Sequence, residues 1–394
     1  MARRPVVLFY KQLTTLGGAE VLLAEHYAFL KGQGREVKVV CFGHADVARV
    51  HIEPGDLIVV PGRGAAAQTW RLAQLLRRIA PEQIYCHSGH IEFGIAAALA
   101  RQPYALFVHH PTTMSYNETD KYAPWFFGRY KAFARRDRMY DEIVAARDAL
   151  SLPRRAYLAL RALISQWSVR RASLVLVLSE YAVREKREIF GVTARHLCGA
   201  IPRRRLAALD SKPPPRAVSG EATLVSVSRL DENKRIDILI DAVSLLIRRG
   251  RAVRLLLGGS GPARADLTAR VEALGLEEHV EFLGYVPEKD VERLYAGMDL
   301  FVTIDWADFR ITTYEVLAEN RRVVVSDDTD LDPELLGSGY LFASPADAEA
   351  LASVIERALA TPVAWDRERL KAYLDQYSWE TYFSRIEEAA ASHA

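Results

Sequence analysis

Cysteine is scarce in this sequence: Cys41, Cys86 and Cys198 stand singly and far apart in 394 residues. Such spacing excludes a disulfide framework and the paired cysteines of a structural zinc site, and it favours a reducing compartment. Long apolar runs are also missing, since stretches such as 174–178 and 253–257 suit buried strands and are far too short to span a membrane. No signal-peptide segment precedes the first strand candidate, so we expect a cytoplasmic protein.

An excess of one charge sign is likewise absent overall, because 52 Lys and Arg face 50 Asp and Glu. The charge is unevenly distributed, however: residues 121–171 hold 12 Lys and Arg against four Asp and Glu, interleaved with aromatics such as Trp125 and Trp167. Two interpretations stay open. The region is either a solvated helical face or a surface that attaches the protein to the inner face of an anionic membrane. No nucleic-acid signature accompanies the charge, so we expect no nucleic-acid partner.

Short strand candidates alternate with helical patterns along the whole chain, which predicts parallel sheets covered by helices. In the first half the strand candidates lie near 5–10, 36–42, 57–60, 83–86, 104–108 and 173–178. A proline-rich stretch at 212–216 interrupts the pattern, which resumes near 222–228, 253–258, 279–282, 299–303 and 322–326. We therefore predict an α/β protein of two doubly wound domains, 1–210 and 221–365, joined by a linker at 211–220.

Two cations follow the first strand candidate of the second half. Arg229 and Lys234 come just after residues 222–227, where they can clamp a diphosphate. Glu315 is predicted to lie in the first turn of a later helix, where a carboxylate can hold the two hydroxyls of a ribose, while the N–H groups of Thr312 and Thr313 meet a phosphate. Thr312-x-x-Glu315 is also a capping-box pattern, and spacing alone leaves both interpretations open.

Glycine-rich turns supply further candidates for a phosphate or nucleotide site. Gly17 and Gly18 separate the first strand from the first helix, and Gly259 lies in a turn that ends the strand 253–258. Tyr285 follows the next strand, where backbone groups can meet a nucleobase. Ordinary turns that start helices explain each segment equally well, because neither the three-glycine fingerprint nor a Walker A lysine is present.

Histidines cluster after two strand candidates of the first half. His87 and His90 follow the strand 83–86, and His109 and His110 follow 104–108. Their spacing lacks the pattern of zinc ligands, so we predict no metal site. Two such clusters at strand ends nevertheless indicate a functional site.

Together these segments resemble the retaining glycosyltransferases of the GT-B fold in the large family called GT4. The matching motifs are the N-terminal glycine loop, the "vgRl…KG" segment, the "GxGP" turn, the "f.G.v" segment and the second acid of the two-glutamate motif. In this chain they stand at 17–20, 225–234, 258–262, 282–286 and Glu315. The resemblance implies two Rossmann-like domains that face an interdomain cleft, with a C-terminal helix, 366–394, packed back on the first domain.

Some positions depart from that family pattern. Ala307 stands where the family has its first glutamate, and Asp308 and Asp305 are nearby acids out of register. Arg310 replaces the glycine before the helix and adds a cation beside the phosphates. Asn320 replaces a later glycine and tolerates the same left-handed backbone.

The resemblance implies transfer of a sugar from a UDP- or GDP-linked donor to a hydroxyl acceptor, a lipid-linked or polysaccharide precursor, with retention and without a metal or other cofactor. Arg229 and Lys234 would stabilise the leaving diphosphate, and His109 would orient the sugar. Gly17, Gly18, Gly259, Tyr285, Thr312, Thr313 and Glu315 would bind the nucleotide and its phosphates, and Asp308 and Arg310 the sugar. The alternatives are a non-catalytic nucleotide-sugar-binding partner of another transferase and a sugar epimerase of the same fold.

Overall fold

The chain divides into two compact units, Met1–Cys198 with Trp379–Ala394 and Gly199–Ser378. The computed structural model describes residues 4–13, 18–44, 51–111, 150–199, 201–215, 217–305, 309–328 and 331–392. Gly17, Asp308 and residues 121–149 of the basic region therefore lie outside the described residues.

The first unit is built on a parallel sheet of seven strands. The strands are β1 Val6–Leu13, β2 Val37–His44, β3 Leu57–Val59, β4 Gln83–Cys86, β5 Ala105–Val108, β6 Leu174–Val177 and β7 Arg195–His196. Their order is β3-β2-β1-β4-β5-β6-β7, and Val6 of β1 lies opposite Val37 and Gln83. The central strands are almost continuously apolar because helices cover both faces of a parallel sheet.

Helices flank this sheet. They are Gly18–Gly32, Ala65–Ile79, His90–Ala100, Leu152–Arg171, Glu180–Glu185 and Trp379–Ala391, with a 3-10 turn at Pro54–Asp56 and a π-helical turn at Lys186–Phe190. Helix His90–Ala100 ends where Arg101 adopts φ 56° and donates its N–H to Ala97 and Ala98. Helix Trp379–Ala391 joins the unit through Phe383, whose ring stacks on His26 at 4.6 Å.

The second unit repeats the same plan with a parallel sheet of six strands. The strands are β8 Ala222–Val227, β9 Val253–Gly258, β10 Val280–Gly284, β11 Leu300–Thr303, β12 Arg322–Ser326 and β13 Leu341–Ser344. Their order is β10-β9-β8-β11-β12-β13, so the first strand of this sheet also lies between the second and the fourth. The core packs this sheet against helix Ile236–Arg248 through Leu239, Ile240, Val243 and Leu246.

Eight helices are described in the second unit. They are Arg203–Ala208, Ile236–Arg248, Arg264–Ala273, Glu288–Ala296, Ile311–Ala318, Pro333–Leu336, Ala348–Ala360 and Arg367–Asp375, with 3-10 turns at Leu209–Ser211 and Glu232–Lys234. Helix Ala348–Ala360 begins at Asp347, whose side chain accepts a hydrogen bond from the N–H of Ala350, a standard N-cap.

The predicted fold class is confirmed, since both sheets are parallel and doubly wound. Two short strands, β7 and β13, were not predicted. Residues 199–220 belong to the second unit instead of forming the end of a first domain and a linker. The cause lies in local contacts: Lys212 pairs with Glu319 at 2.7 Å, and its carbonyl accepts from Asn320 at 3.0 Å and from Arg367 at 2.8 Å.

The C-terminal segment also divides differently from the prediction. Helix Arg367–Asp375 belongs to the second unit, and only Trp379–Ala391 belongs to the first. Asn320 adopts φ 56°, which confirms that asparagine supplies the left-handed residue here. Among the described residues, no helix is both long enough and apolar enough to cross a membrane.

Candidate functional site

The glycine turn after β9 packs directly on the loop that follows β8. Gly259 adopts φ 126°, and a Cβ atom there would lie 1.8 Å from the carbonyl oxygen of Ser228. The N–H of Ser228 donates to Gly258 and that of Leu230 to Ser260, each at 3.0 Å. Packing alone therefore requires glycine at 259, and this contact fixes the loop that carries Arg229.

The two predicted cations of that loop differ in their surroundings. The Arg229 side chain is 73% exposed and pairs with Asp231. The Lys234 side chain is 25% exposed, and its Nζ lies 2.7 Å from Oδ2 of Asp305, two residues after the end of β11. Both cations thus follow the carboxyl end of β8, at the edge where open α/β sheets bind ligands.

Asp305 is the most highly connected acid of this region. Its Oδ1 accepts from Arg310 Nε at 2.6 Å and from Thr303 Oγ1 at 3.0 Å, while its Oδ2 accepts from Lys234. Burial disfavours the charged carboxylate, but the charges of Arg310 and Lys234 prevail and hold the pKa of Asp305 well below its usual range. The sequence offered Asp305 only as an acid out of register.

Arg310 lies deeper than the sequence suggested. Its side chain is buried, pairs with Asp305 and donates to Ser326 Oγ at 3.2 Å. The cation expected beside the phosphates is therefore paired with a buried carboxylate, and its contact with a donor stays a prediction.

The helix that carries Glu315 begins earlier than predicted. It runs from Ile311 to Ala318 with Arg310 as its N-cap, and its first turn holds no acidic residue. Glu315 is therefore not in the first turn, and Thr312 is not a cap, so the capping-box interpretation is also wrong. The Glu315 carboxylate lies on the second turn, where its Oε1 is 3.7 Å from the guanidinium of Arg205.

Thr313 contributes differently from the expectation, while that for Thr312 stays a prediction. The N–H of Thr313 donates to the carbonyl of Arg310 at 3.1 Å, so it is not available to a phosphate. Its hydroxyl, in contrast, is buried and has no hydrogen-bond partner among the described residues. Tyr285, the predicted nucleobase neighbour, follows β10 with its side chain 73% exposed.

In the first unit, a row of stacked rings stands at the ends of β4 and β5. His87 stacks on Phe107 at 4.1 Å, and His109 lies 5.8 Å from His87. Behind them, Nδ1 of His26 lies 3.2 Å from Nε2 of His87. His26 was missed by the sequence analysis, since a lone histidine inside a helix carries no pattern that points to partners on a distant strand.

Burial keeps these rings neutral. It lowers the pKa of His26 to about 3, helped by the charge of Arg35, and that of His109 to about 4, helped by His110. The pKa of His87 is lowered as well, first by burial and then by its histidine neighbours. Nε2 of His109 is buried and has no hydrogen-bond partner within the described part of the chain.

A cavity of about 190 Å³ opens beside this row of rings. Its polar lining comes from Tyr10, His87, Ser88, His90, His109, His110, Ser165 and Lys186. Lys186 is buried and pairs with Glu185 at 2.6 Å, so it adds no net charge. The cavity thus offers neutral polar groups suited to hydroxyls.

The N-terminal glycine loop is described only from Gly18, the first residue of helix Gly18–Gly32. Two residues later, Glu20 accepts a hydrogen bond from the hydroxyl of Tyr10 at 2.8 Å. Across the described residues, no group of three or more His, Cys, Asp or Glu is placed to hold a metal ion.

Two family models match this chain. "Glycosyl transferases group 1" matches residues 210–376, and "Glycosyl transferase 4-like domain" matches residues 17–198. Together they account for most of the chain, one in each half.

Curated relatives match over shorter stretches. Mannosylfructose-phosphate synthase of Agrobacterium fabrum is 36% identical over 138 residues, which cover 32% of this chain and 30% of that protein. Alpha-monoglucosyldiacylglycerol synthase of Streptococcus pneumoniae is 25% identical over 43% of this chain and 38% of its own. O-antigen chain mannosyltransferase B of Escherichia coli is 28% identical over 54% of this chain and 59% of its own. These matches span less than two thirds of each relative.

Solved structures match over the full length. HepE of Anabaena in complex with UDP superposes with a TM-score of 0.72 at 18% identity, covering 98% of this chain and all of that one. The lipopolysaccharide outer core galactosyltransferase WaaB superposes with a TM-score of 0.68 at 14% identity, covering 99% of this chain and all of that one. At such identities the likeness shows the fold, which is GT-B.

The buried histidines predict a loss of stability in acid. The unfolded chain takes up protons near the ordinary histidine pKa of about 6.5, whereas His26 and His109 resist them until about 3 and 4. The stabilisation is therefore complete above pH 6.5 and is lost as the pH falls towards 4. Urea unfolding between pH 7.5 and 4.5 measures this slope.

A matched pair of variants isolates this contribution. His26→Phe should flatten the pH dependence, while His51→Asn, which changes an exposed histidine with a positive φ, should keep that of the wild type. Equal slopes in His26→Phe and the wild type would contradict the assignment.

The glycine turn gives a second prediction. Gly259→Ala should destabilise the second unit more than Gly284→Ala does, because its Cβ would overlap the Ser228 carbonyl. Gly284 has φ 68° and open space around it, so alanine there costs only the left-handed strain of about 1–2 kcal/mol. Urea midpoints of the two variants make the comparison, and equal losses would count against the packing argument.

Proposed function

The chain belongs to the group 1 glycosyltransferases of the GT-B fold, and from this premise we propose that it uses a UDP- or GDP-linked sugar as donor and transfers the sugar to a hydroxyl with retention of configuration. The observation that carries the proposal is the placement of Arg229 and Lys234 beyond β8, at the switch of strand order in the second sheet. A doubly charged diphosphate needs cations there.

The second unit supports the nucleotide end of this donor. Glu315 would bind the ribose hydroxyls from the second turn of its helix, and the unpartnered hydroxyl of Thr313 would donate to a phosphate oxygen, with Thr312 beside it. The exposed ring of Tyr285 suits stacking on a base. HepE of Anabaena, which shares the fold, was solved with UDP and with UDP-glucose, and this favours uracil over guanine.

The proposed chemistry follows from these charges. The acceptor oxygen forms a bond to the anomeric carbon on the face from which the diphosphate leaves, and a phosphate oxygen of the leaving group takes the acceptor proton. Arg229 and Lys234 stabilise the negative charge that grows on that group, a role that a divalent metal fills in other transferases. His109, neutral in its buried position, accepts or donates a hydrogen bond to the sugar.

The acceptor is proposed to be a lipid-linked or polysaccharide precursor at an anionic membrane. Helix Leu152–Arg171 supports this part, since it carries five arginines and no acid. Leu160, Leu163 and Trp167, spaced three and four residues apart, form one face and are 58%, 56% and 42% exposed. An exposed apolar face flanked by arginines suits the boundary between lipid headgroups and acyl chains.

Nucleotide binding is the first test. UDP, GDP or ADP in excess EDTA should raise the thermal unfolding midpoint of the wild type. A ligand at 100 times its dissociation constant raises the free energy of unfolding by about 2.7 kcal/mol. Lys234→Ala and Glu315→Ala should lose that shift, because they remove the phosphate cation and the ribose carboxylate. Arg248→Ala, an exposed cation on helix Ile236–Arg248, is the control and should keep it.

Turnover separates the enzyme from the non-catalytic alternative. The wild type, given the sugar donor of the nucleotide it binds and a crude lipid and polysaccharide fraction, should release nucleoside diphosphate. Binding without release would favour a nucleotide-sugar-binding partner of another transferase, and no binding of any nucleotide would contradict the proposed donor site.

Membrane attachment has its own test. At low salt the wild type should float with vesicles that contain phosphatidylglycerol. With vesicles of pure phosphatidylcholine it should stay at the bottom of the gradient, since the arginines need anionic lipid. Leu160→Glu/Leu163→Glu should reduce flotation without loss of folding. Leu274→Glu, a leucine in the second unit that is 38% exposed, should float like the wild type. A wild type that does not float with either vesicle would contradict membrane binding and favour an ordinary solvated helical face.

A further inference from the structure

We propose that Asp305 is a positioning residue of the donor site, which holds the Lys234 ammonium in place and ties it to the start of the helix that carries Glu315. The inference rests on the proposed function and concerns a residue outside the motifs of the family resemblance. Asp305 touches neither donor nor acceptor in this assignment, and it acts through Lys234.

The geometry gives each carboxylate oxygen its own cation. Oδ2 accepts from Lys234 at 2.7 Å, and Oδ1 accepts from Arg310 Nε at 2.6 Å. Thr303, at the end of β11, donates a third hydrogen bond to Oδ1 at 3.0 Å. The carboxylate is therefore fixed from its own strand and has little freedom to follow Lys234, so the lysine is held to the carboxylate.

The same contacts join the two halves of the proposed nucleotide site. Lys234 ends the 3-10 turn Glu232–Lys234 that follows β8, whereas Arg310 is the N-cap of helix Ile311–Ala318. One buried carboxylate thus connects the cation meant for the diphosphate with the helix meant for the ribose. The spacing of these two groups has to match the ligand, and Asp305 is the described side chain that bonds to both segments.

Charge distribution points the same way. Lys234, Asp305 and Arg310 together carry one net positive charge. The Lys234 side chain is 25% exposed, whereas those of Asp305 and Arg310 are 7% and 6% exposed, so the lysine presents this charge to solvent. Arg310 is also bonded to Ser326 at 3.2 Å and to the carbonyl of Asp305, so its guanidinium is committed inward. We therefore assign Arg310 to holding Asp305 and not to contact with the donor sugar.

A double-mutant cycle on nucleotide affinity tests the assignment. With the nucleotide that the wild type binds, Asp305→Asn should weaken affinity by about 10-fold or more, because the lysine loses its anchor. If Asp305 acts through Lys234, then Lys234→Ala should cost much less in the Asp305→Asn background than in the wild type. Asp305→Glu, which keeps the charge, should recover part of the affinity.

Matched controls exclude a general loss of structure. Asp241→Asn removes a carboxylate from a separate pair, with Arg270 on another helix of the same unit, and should be additive with Lys234→Ala. Should Asp305→Asn fail to fold because Arg310 is left buried and unpaired, Asp305→Asn/Arg310→Met removes both charges and still deprives Lys234 of its anchor.

The outcomes are distinguishable. Strong non-additivity between residues 305 and 234, together with additivity between 241 and 234, supports the positioning role. Additivity in both cycles, with a wild type that binds nucleotide, overturns it and leaves the proposed function standing. A wild type that binds none of the nucleotides overturns the proposed function and this assignment with it.

Discussion

Parallel strands whose connections leave in opposite directions create a gap at their carboxyl ends, and both sheets of this chain contain one. In the second sheet the gap lies between β8 and β11, the strands that deliver Lys234 and Asp305. In the first it lies between β1 and β4, and β4 delivers His87. Side chains far apart in sequence, such as Lys234 and Asp305, meet there because the parallel strands end at the same edge of the sheet. The candidate chemistry of each unit depends on this constraint.

The two units use that position for different chemistry. The second unit concentrates charge, since each cation beside β8 has a carboxylate partner: Arg229 with Asp231, and Lys234 with Asp305. The first unit offers rings that burial keeps neutral, with His109 at the edge of a cavity. Under the proposed function, the charged groups of the second unit suit a diphosphate, and the neutral groups of the first suit the hydroxyls of a sugar.

Sequence patterns revealed the sheets because buried parallel strands are apolar runs. They failed at β7, which has only two residues, both exposed. β13 is as long as β4 and largely buried, so neither its length nor its polarity explains why it was missed. The start of helix Ile311–Ala318 was misplaced because its N-cap is Arg310, which is not a usual capping residue. Arg310 is held there by an ion pair with Asp305. His26 and the contacts of Asp305 were missed for a related reason: their partners lie on other elements, and no spacing rule links them. The position of Arg229 just after a strand was predicted, because that strand is an apolar run in the sequence.

Arg310 stands where the family pattern has a glycine, and its ion pair with Asp305 calls for a physical reason. A buried ion pair is weak evidence for stability, because well-packed apolar side chains of similar volume are often as stable or more so. Stability alone therefore gives no reason to bury a guanidinium where a glycine suffices. Arg310 leaves Oδ2 of Asp305 to Lys234, while its own hydrogen bond to Oδ1 fixes the carboxylate and helps to lower its pKa. The pair makes sense when the group it serves is the lysine, whose ammonium it holds at the one end of the cluster that reaches solvent.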